Sequence, residues 1–234
     1  MRYTDNLFLY EEIMLLSLRD EAGTIASGAM YNYAVGGAVI AELLLTQRIA
    51  VDQVKKKKLI AVITPEPMND ILIDEWLKKI SHSKKQKTVQ DWVSRIANTR
   101  DLKHRIASQL CQRGILEMDE KTILLLFTQR VYPEVNPEPE RRIIDRLENA
   151  IFTDTDDIDT RTIVLLSLAK SANLLPFLFG KKEIKQRKKR IEQVVNGEIT
   201  GKATKDAIEA MQAAVTVACI MPAIMTSAMT SASH

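Results

Sequence analysis

Residues 9–18 of this chain read LYEEIMLLSL, and this stretch decides the fold class. Its apolar side chains recur three and four positions apart, a spacing that gathers them on one face of an α-helix. A second stretch, residues 36–45, reads GGAVIAELLL and shows the same spacing around a single acid, Glu42. Both stretches predict helices with a buried face, and neither carries the signature of a catalytic site.

The same helical periodicity continues through most of the chain, and two places interrupt it. Residues 49–51 and 59–63 read as the strands of one β-hairpin, and residues 115–117 and 123–127 as those of a second, which turns at residues 118–121. We therefore predict a mainly α fold, a single-domain helical bundle with peripheral amphipathic helices and two short β-hairpins. The predicted helices lie near residues 7–19, 30–47, 70–80, 88–97, 100–113, 138–152, 157–175, 181–195 and 203–221.

Length and composition fit one soluble domain. The chain has 234 residues, 46% of them hydrophobic, which is ample for one packed core. We expect this domain to span residues 1–225 and a small, polar, flexible tail to span residues 226–234. The two cysteines lack the spacing of a disulfide framework, and no secretion signal or membrane-spanning run is present. A cytoplasmic protein is expected, and any membrane contact is then peripheral.

Three segments invite a chemical interpretation that their spacing does not support. Residues 197–204, GEITGKAT, lack the glycine spacing and the hydroxyl that a phosphate-binding loop requires. Residues 154–159, DTDDID, lack the glycine and the closing glutamate of a calcium loop and fit helix capping better. The three histidines have no partners at metal-ligand spacing. We therefore expect no catalytic residues, no metal and no cofactor, and the protein is predicted not to be an enzyme.

Positive charge is concentrated on one predicted helix. Arg100, Lys103 and His104 fall on one side of it, where they can converge on a phosphate, and Arg105 follows them. The candidates for binding a lipid headgroup are Arg100, Lys103 and Arg105. Two lysine-rich runs, residues 55–58 and 181–190, are either solvated surface or further contacts with an anionic partner.

The second hairpin carries an unusually long apolar run, made of Ile123, Leu124, Leu125, Leu126 and Phe127. Such a run is too apolar for a strand with one wet face. One face is expected to pack on the core while the other meets a bilayer, a second subunit or another part of the fold. The alternative is a strand buried on both sides.

The order of these features resembles the Golgi phosphoprotein 3 family. The resemblance extends from residue 9 to about residue 219 and rests on the shared order and spacing of several segments. Besides the two opening helices, these segments are ILIDEWL at residues 71–77, VQDWV at 89–93, RGIL at 113–116, DTRTIVLLSLAK at 159–170 and residues 207–218 within the last predicted helix.

The resemblance implies binding to phosphatidylinositol 4-phosphate on Golgi membranes, contact with glycosyltransferase tails and self-association through the second hairpin in eukaryotic relatives. Arg100 and Lys103 match two basic residues of the family's headgroup pocket. A tryptophan and an arginine of that pocket correspond here to Ser27 and Gly36, which favours general affinity for anionic lipid over phosphoinositide specificity. The chain begins directly at the domain, which is typical of a minimal family member, and a bacterial source fits this.

The leading hypothesis is therefore a non-enzymatic peripheral membrane protein that binds an anionic phospholipid membrane, at the Golgi face if the source is eukaryotic. One alternative is a winged-helix nucleic-acid binder, because a basic helix, Arg113-Gly114 and a hairpin follow in that order. Asp119 and Glu120 at the expected hairpin tip argue against it, since they would face phosphate. A scaffold with only protein partners is the other alternative.

Overall fold

The computed structural model of the protein describes residues 7–19, 24–25, 31–54, 57–123 and 127–198. Within these ranges ten α-helices and three two-stranded antiparallel sheets form, and the predicted mainly α fold is confirmed. The helices are α1 (Leu9–Ser17), α2 (Tyr31–Leu45), α3 (Ile71–Ser81), α4 (Val89–Ala97), α5 (Leu102–Gln112), α6 (Glu138–Phe152), α7 (Thr160–Ser171), α8 (Leu175–Phe179), α9 (Lys181–Gln186) and α10 (Lys188–Val195). The strand pairs are β1 (Leu18–Arg19) with β2 (Thr24–Ile25), β3 (Ile49–Val54) with β4 (Lys57–Val62), and β5 (Asp119–Ile123) with β6 (Phe127–Val131).

Helices α1 and α2 form the centre of the core. Every residue of α1 is buried, and α2 is buried from Ala34 to Leu43. Helix α2 packs against α1, α4 and α7. At Gly36 its backbone approaches α4 so closely that an added Cβ atom would lie 2.7 Å from the carbonyl oxygen of Val93. Glycine at this position therefore allows two helices to pack backbone to backbone.

Capping side chains decide where several helices begin. Asp70 accepts a hydrogen bond of 2.8 Å from the Ile73 amide, and Thr88 accepts one of 3.1 Å from the Asp91 amide. Asp159 caps α7 in the same way, so this helix begins at residue 160 and not at the predicted residue 157. The predicted helix over residues 181–195 is divided at Arg187 into α9 and α10.

The first predicted hairpin is confirmed as β3 and β4, while the second has a different register from the one predicted. Ile115 and Leu116 are buried in the core directly after α5, and the strands run from Asp119 to Ile123 and from Phe127 to Val131. Asp119 and Glu120 therefore lie in a strand, opposite Val131 and Arg130, and not at a hairpin tip. A third pair, β1 with β2, has only two residues a strand, too few to produce a sequence pattern.

Several predictions concern residues outside the described ranges. These are the predictions for Ser27, Lys55, Lys56, the leucines at 124–126, the helix over residues 203–221 and the tail over residues 226–234. Of Ile123 and Phe127 only the backbone is described. In the described part of the chain no helix combines the length and the apolar character needed to cross a bilayer.

Candidate functional site

The start of α5 projects positive charge into solvent. Asp101 precedes the helix with a left-handed backbone, φ 55°, a conformation that aspartate tolerates better than most residues. The side chain of Arg100 is 96% exposed, and its Nε lies 3.4 Å from a carboxylate oxygen of Asp101. Because an exposed ion pair of this kind contributes little energy, Arg100 remains available to an anionic ligand.

Lys103, in the first turn of α5, lines a cleft of about 510 Å³ between this helix and β6. Burial lowers the pKa of its ammonium group, because the charged form loses part of its hydration. Its Nζ lies 5.8 Å from the centre of the Tyr132 ring, and no described carboxylate forms an ion pair with it. We call this cleft the headgroup cleft; its lining residues are Asp101, Lys103, His104, Thr128, Gln129 and Arg130.

His104 lines the headgroup cleft beside Lys103, and Tyr132 holds its imidazole from the side of the neighbouring cleft. Their Nδ1 and hydroxyl oxygen are 2.8 Å apart, and their ring centres are 5.7 Å apart. Tyr132 is only 2% exposed, so this hydrogen bond orients the imidazole from the protein interior. Arg130 contributes a second cation to the cleft from β6. Sequence reasoning missed Arg130 and Tyr132 because the predicted hairpin register ended before them.

Arg105, the third predicted headgroup residue, lies outside the headgroup cleft. Its guanidinium contacts Glu75 of α3, which also accepts a hydrogen bond of 2.5 Å from Lys79. Arg105 lines a neighbouring cleft of about 360 Å³ together with Ile71 and Met118, two largely exposed apolar residues. Of the three predicted headgroup residues, Lys103 lines the headgroup cleft, Arg100 pairs with the lining residue Asp101, and Arg105 contacts a carboxylate outside the cleft.

Gly36, the residue that the resemblance places at the position of a pocket arginine, lies inside the helical core. Gly36 is buried in α2, and any side chain there would meet the backbone of Val93. A guanidinium cannot extend from this position to a ligand without separating α2 from α4. Sequence alignment by local pattern could not detect this, because the contact depends on the packing of two helices.

A buried cluster of charges lies away from this surface, and sequence reasoning did not assign it a role. Glu42 of α2 accepts a hydrogen bond of 2.8 Å from the Leu9 amide and lies 2.9 Å from Arg161 of α7. Arg161 also approaches Glu12 at 3.8 Å, and Arg146 of α6 contacts the other oxygen of Glu12 at 2.6 Å. Four helices are therefore joined by paired charges.

The cluster continues to α3 and α5. Tyr10 donates a hydrogen bond of 2.7 Å to Asp70, and Gln109 donates one of 2.9 Å to the same oxygen. Glu11, fully buried, lies 3.3 Å from Arg113. Burial raises the pKa of Glu11 to about 7, and Arg113 opposes this rise. We call this cluster the polar core; its members are Tyr10, Glu11, Glu12, Glu42, Asp70, Gln109, Arg113, Arg146 and Arg161.

Fold and site together define a mainly α protein with a surface cleft whose lysine, Lys103, forms no ion pair with any described residue. In the described ranges no three His, Cys, Asp or Glu side chains gather in a way that could hold a metal ion. Residues 9–211 match the Golgi phosphoprotein 3 (GPP34) family, and the chain belongs to that family.

One relative is vacuolar protein sorting-associated protein 74 of Schizosaccharomyces pombe, which is 22% identical to this chain over 220 residues. The matched region covers 80% of this chain and 65% of the relative. The chain thus spans a little less than two thirds of the length of this sorting protein. The family match over residues 9–211 includes the helices that carry both the polar core and the headgroup cleft.

Proposed function

We propose that this protein is a non-enzymatic, Golgi-associated adaptor that binds anionic phospholipid headgroups at the headgroup cleft. Membership of the Golgi phosphoprotein 3 family supports the Golgi association. The name of the relative, a vacuolar protein sorting-associated protein, supports a role in sorting and not in catalysis. The headgroup cleft itself supports the contact with lipid.

The observation that carries the proposal is the state of Lys103. Its ammonium group is half-buried and lacks a carboxylate partner in the described part of the chain. A phosphate that enters the cleft would restore the interactions that burial removes, and a charge-assisted hydrogen bond is stronger than a neutral one. Arg130 inside the cleft and the exposed Arg100 beside it can reach further oxygens of the same headgroup.

The proposal favours anionic lipid in general over one phosphoinositide. Gly36 cannot supply the second arginine of a specific pocket. Attraction to an acidic leaflet requires only basic residues near the surface, each contributing about 1 kcal/mol. Phosphatidylinositol 4-phosphate is then one acceptable ligand among several.

The apolar run over residues 123–127 is proposed to reach the bilayer or a second copy of the chain. Strands β5 and β6 lead to it, and their described side chains at Asp119–Lys121 and Thr128–Arg130 are exposed and polar. Solvated strands that lead to an apolar run are typical of a segment that contacts a partner. Glycosyltransferase tails are proposed as further partners.

Vesicle flotation tests the headgroup cleft. The double variant Arg100→Ala with Lys103→Ala should bind phosphatidylserine-containing vesicles about 30-fold more weakly, since two basic residues near a surface contribute about 2 kcal/mol together. The matched control is Lys170→Ala with Arg141→Ala, which removes the same charge from exposed positions on α7 and α6 and should bind as the parent does.

Equal flotation of the parent and the cleft variant would contradict the proposal. Duplex DNA under the same salt conditions provides the comparison with the winged-helix alternative. The order α5, β5, β6 keeps this alternative open, and the strand position of Asp119 and Glu120 removes the objection based on an acidic tip. Retention on DNA that depends on Lys103, without binding to vesicles, would favour the nucleic-acid function.

A further inference from the structure

A second basic surface lies on β4 and on the segment that leads into α4. Lys57 and Lys58 of β4 and Lys84 and Lys85 of the segment are exposed, and none has an ion pair with a described residue. Lys87 lies close by, because its carbonyl oxygen accepts a hydrogen bond of 2.9 Å from the amide of Ile60. We call this the lysine surface; it consists of Lys57, Lys58, Lys84, Lys85 and Lys87.

Few acids lie near the lysine surface. Asp52 of β3, opposite Leu59, is exposed, and two others are already engaged. Asp91 accepts hydrogen bonds from the amide and the hydroxyl of Thr88, at 3.0 and 2.7 Å. Glu75 is shared between Arg105 and Lys79. The excess of positive charge therefore attracts an anionic partner, and basic partners are repelled.

The outer edge of β4 offers backbone hydrogen bonds beside these lysines. The Ile63 amide donates a hydrogen bond to the Arg48 carbonyl. The backbone amides and carbonyls of the odd-numbered residues of β4 therefore point towards β3. Ile60 and Val62 consequently direct their backbone polar groups to the outer edge. The amide of Ile60 uses this edge to bond Lys87, while that of Val62 has no backbone partner in the described ranges.

A cleft of about 140 Å³ lies at this open edge. Val62 forms one side of it, and Ser83 and Lys85 form the other. The largely buried side chains of Trp92 and Ile80 lie at its base. The free backbone amide of Val62, a small cleft beside it and nearby lysines together suit the addition of an acidic peptide as a further strand.

We propose that the lysine surface binds a short, extended, acidic segment of a partner protein, which pairs with the outer edge of β4 at Val62, next to the part of that edge that residues 87 and 88 already cover. The chain already uses this edge in the same manner, since residue 59 pairs with residue 88 as an isolated antiparallel bridge. A flat bilayer cannot form such a ladder inside a cleft, so a peptide fits the geometry better than a membrane does.

Binding of fluorescent peptides to the full chain tests this inference. An eight-residue peptide that alternates glutamate and valine should bind, and one that alternates lysine and valine should not. The variant Lys58→Glu with Lys85→Glu should weaken the acidic peptide at least about tenfold, because reversed charges repel it. The matched control, Lys170→Glu with Lys182→Glu, reverses two exposed lysines elsewhere and should leave binding unchanged.

N-methylated peptides separate strand addition from simple attraction without altering the protein. Methyl groups on one set of alternate amides should abolish binding, and methyl groups on the other set should not, since only one set faces the strand. Equal binding of both peptides would overturn the inference. So would a Lys58→Glu, Lys85→Glu variant that loses vesicle flotation and keeps peptide binding, because the surface would then contact membrane.

Discussion

The polar core and the headgroup cleft use the same kinds of charged side chain under opposite conditions. In the polar core Glu42 is 3% exposed and has both a backbone partner and Arg161. At the headgroup cleft Lys103 is half-buried and forms no ion pair with a described carboxylate, and the neighbouring Arg100 side chain is 96% exposed. Paired, buried charges of the first kind join helices, whereas the second kind remains free for a ligand.

This difference shows why charge alone does not identify a functional residue. Arg105 and Lys103 lie two positions apart on α5, yet Arg105 contacts Glu75 and Lys103 does not have such a partner among the described residues. A cation with a carboxylate partner must break an ion pair before it binds a phosphate. Lys103 gains an interaction without that loss.

The largest expected effect is on the stability of the polar core. Arg161→Met should lower the free energy of unfolding by about 3–5 kcal/mol, because Glu12 and Glu42 would remain buried without their shared partner. Urea unfolding followed by circular dichroism measures the change. Arg100→Met, which alters the exposed arginine beside the headgroup cleft, should change the free energy of unfolding by less than about 0.5 kcal/mol. Similar losses in the two variants would break the contrast between the two regions.

The pH dependence of stability should reveal Glu11. Its pKa is raised from 4.5 to about 7 in the folded protein, so between these values the folded state holds a proton that the unfolded state has lost. The free energy of unfolding should therefore fall by roughly 3 kcal/mol as pH rises from 4.5 to 7. Burial raises the pKa of Glu12 as well, which acts in the same direction.

Glu11→Gln provides the test, because glutamine carries no titrating proton and retains a similar shape. Urea unfolding at pH 5 and pH 8 should show a smaller difference in the variant than in the parent. If the parent and the variant lose stability equally over this range, the proton is bound elsewhere and Glu11 is ionised throughout.

The smallest effect is expected at the headgroup cleft. Lys103→Met removes a charge that burial already disfavours, so the free energy of unfolding should stay within about 0.5 kcal/mol of the parent value or rise slightly. The same urea titration measures it. A loss of 2 kcal/mol or more, on the order of a broken buried contact, would mean that Lys103 belongs to the folded scaffold and not to a ligand site.

Much of the fold could be predicted from local pattern. The helices at residues 31–45, 89–97, 102–112 and 138–152 lie within about two residues of their predicted bounds, since each has one continuous apolar face. The second hairpin was placed wrongly because Ile115 and Leu116 look like strand residues. Their burial comes from the core beneath α5 and not from pairing with a neighbouring strand in the predicted register.

The candidate site was predictable only in its helical half. Lys103 and His104 lie on α5 as predicted, but the predicted helix start at residue 100 is wrong, because α5 begins at Leu102 and Arg100 precedes it. Arg130 reaches the headgroup cleft from β6, and Tyr132, directly after β6, lines the neighbouring cleft; nothing in the local pattern connects either residue with α5. The direction of Arg105 was equally hidden, because its partner Glu75 is 30 residues away.

The sequence by itself determined which segments are helices, which faces are apolar and where cations accumulate, because these properties repeat with the period of the backbone. Only the tertiary structure decided which charges are paired. The contact between Glu42 and Arg161 spans 119 residues, and the close approach of Gly36 to Val93 joins two separate helices. Such contacts depend on how apolar faces pack against each other, and short-range periodicity does not determine which faces meet.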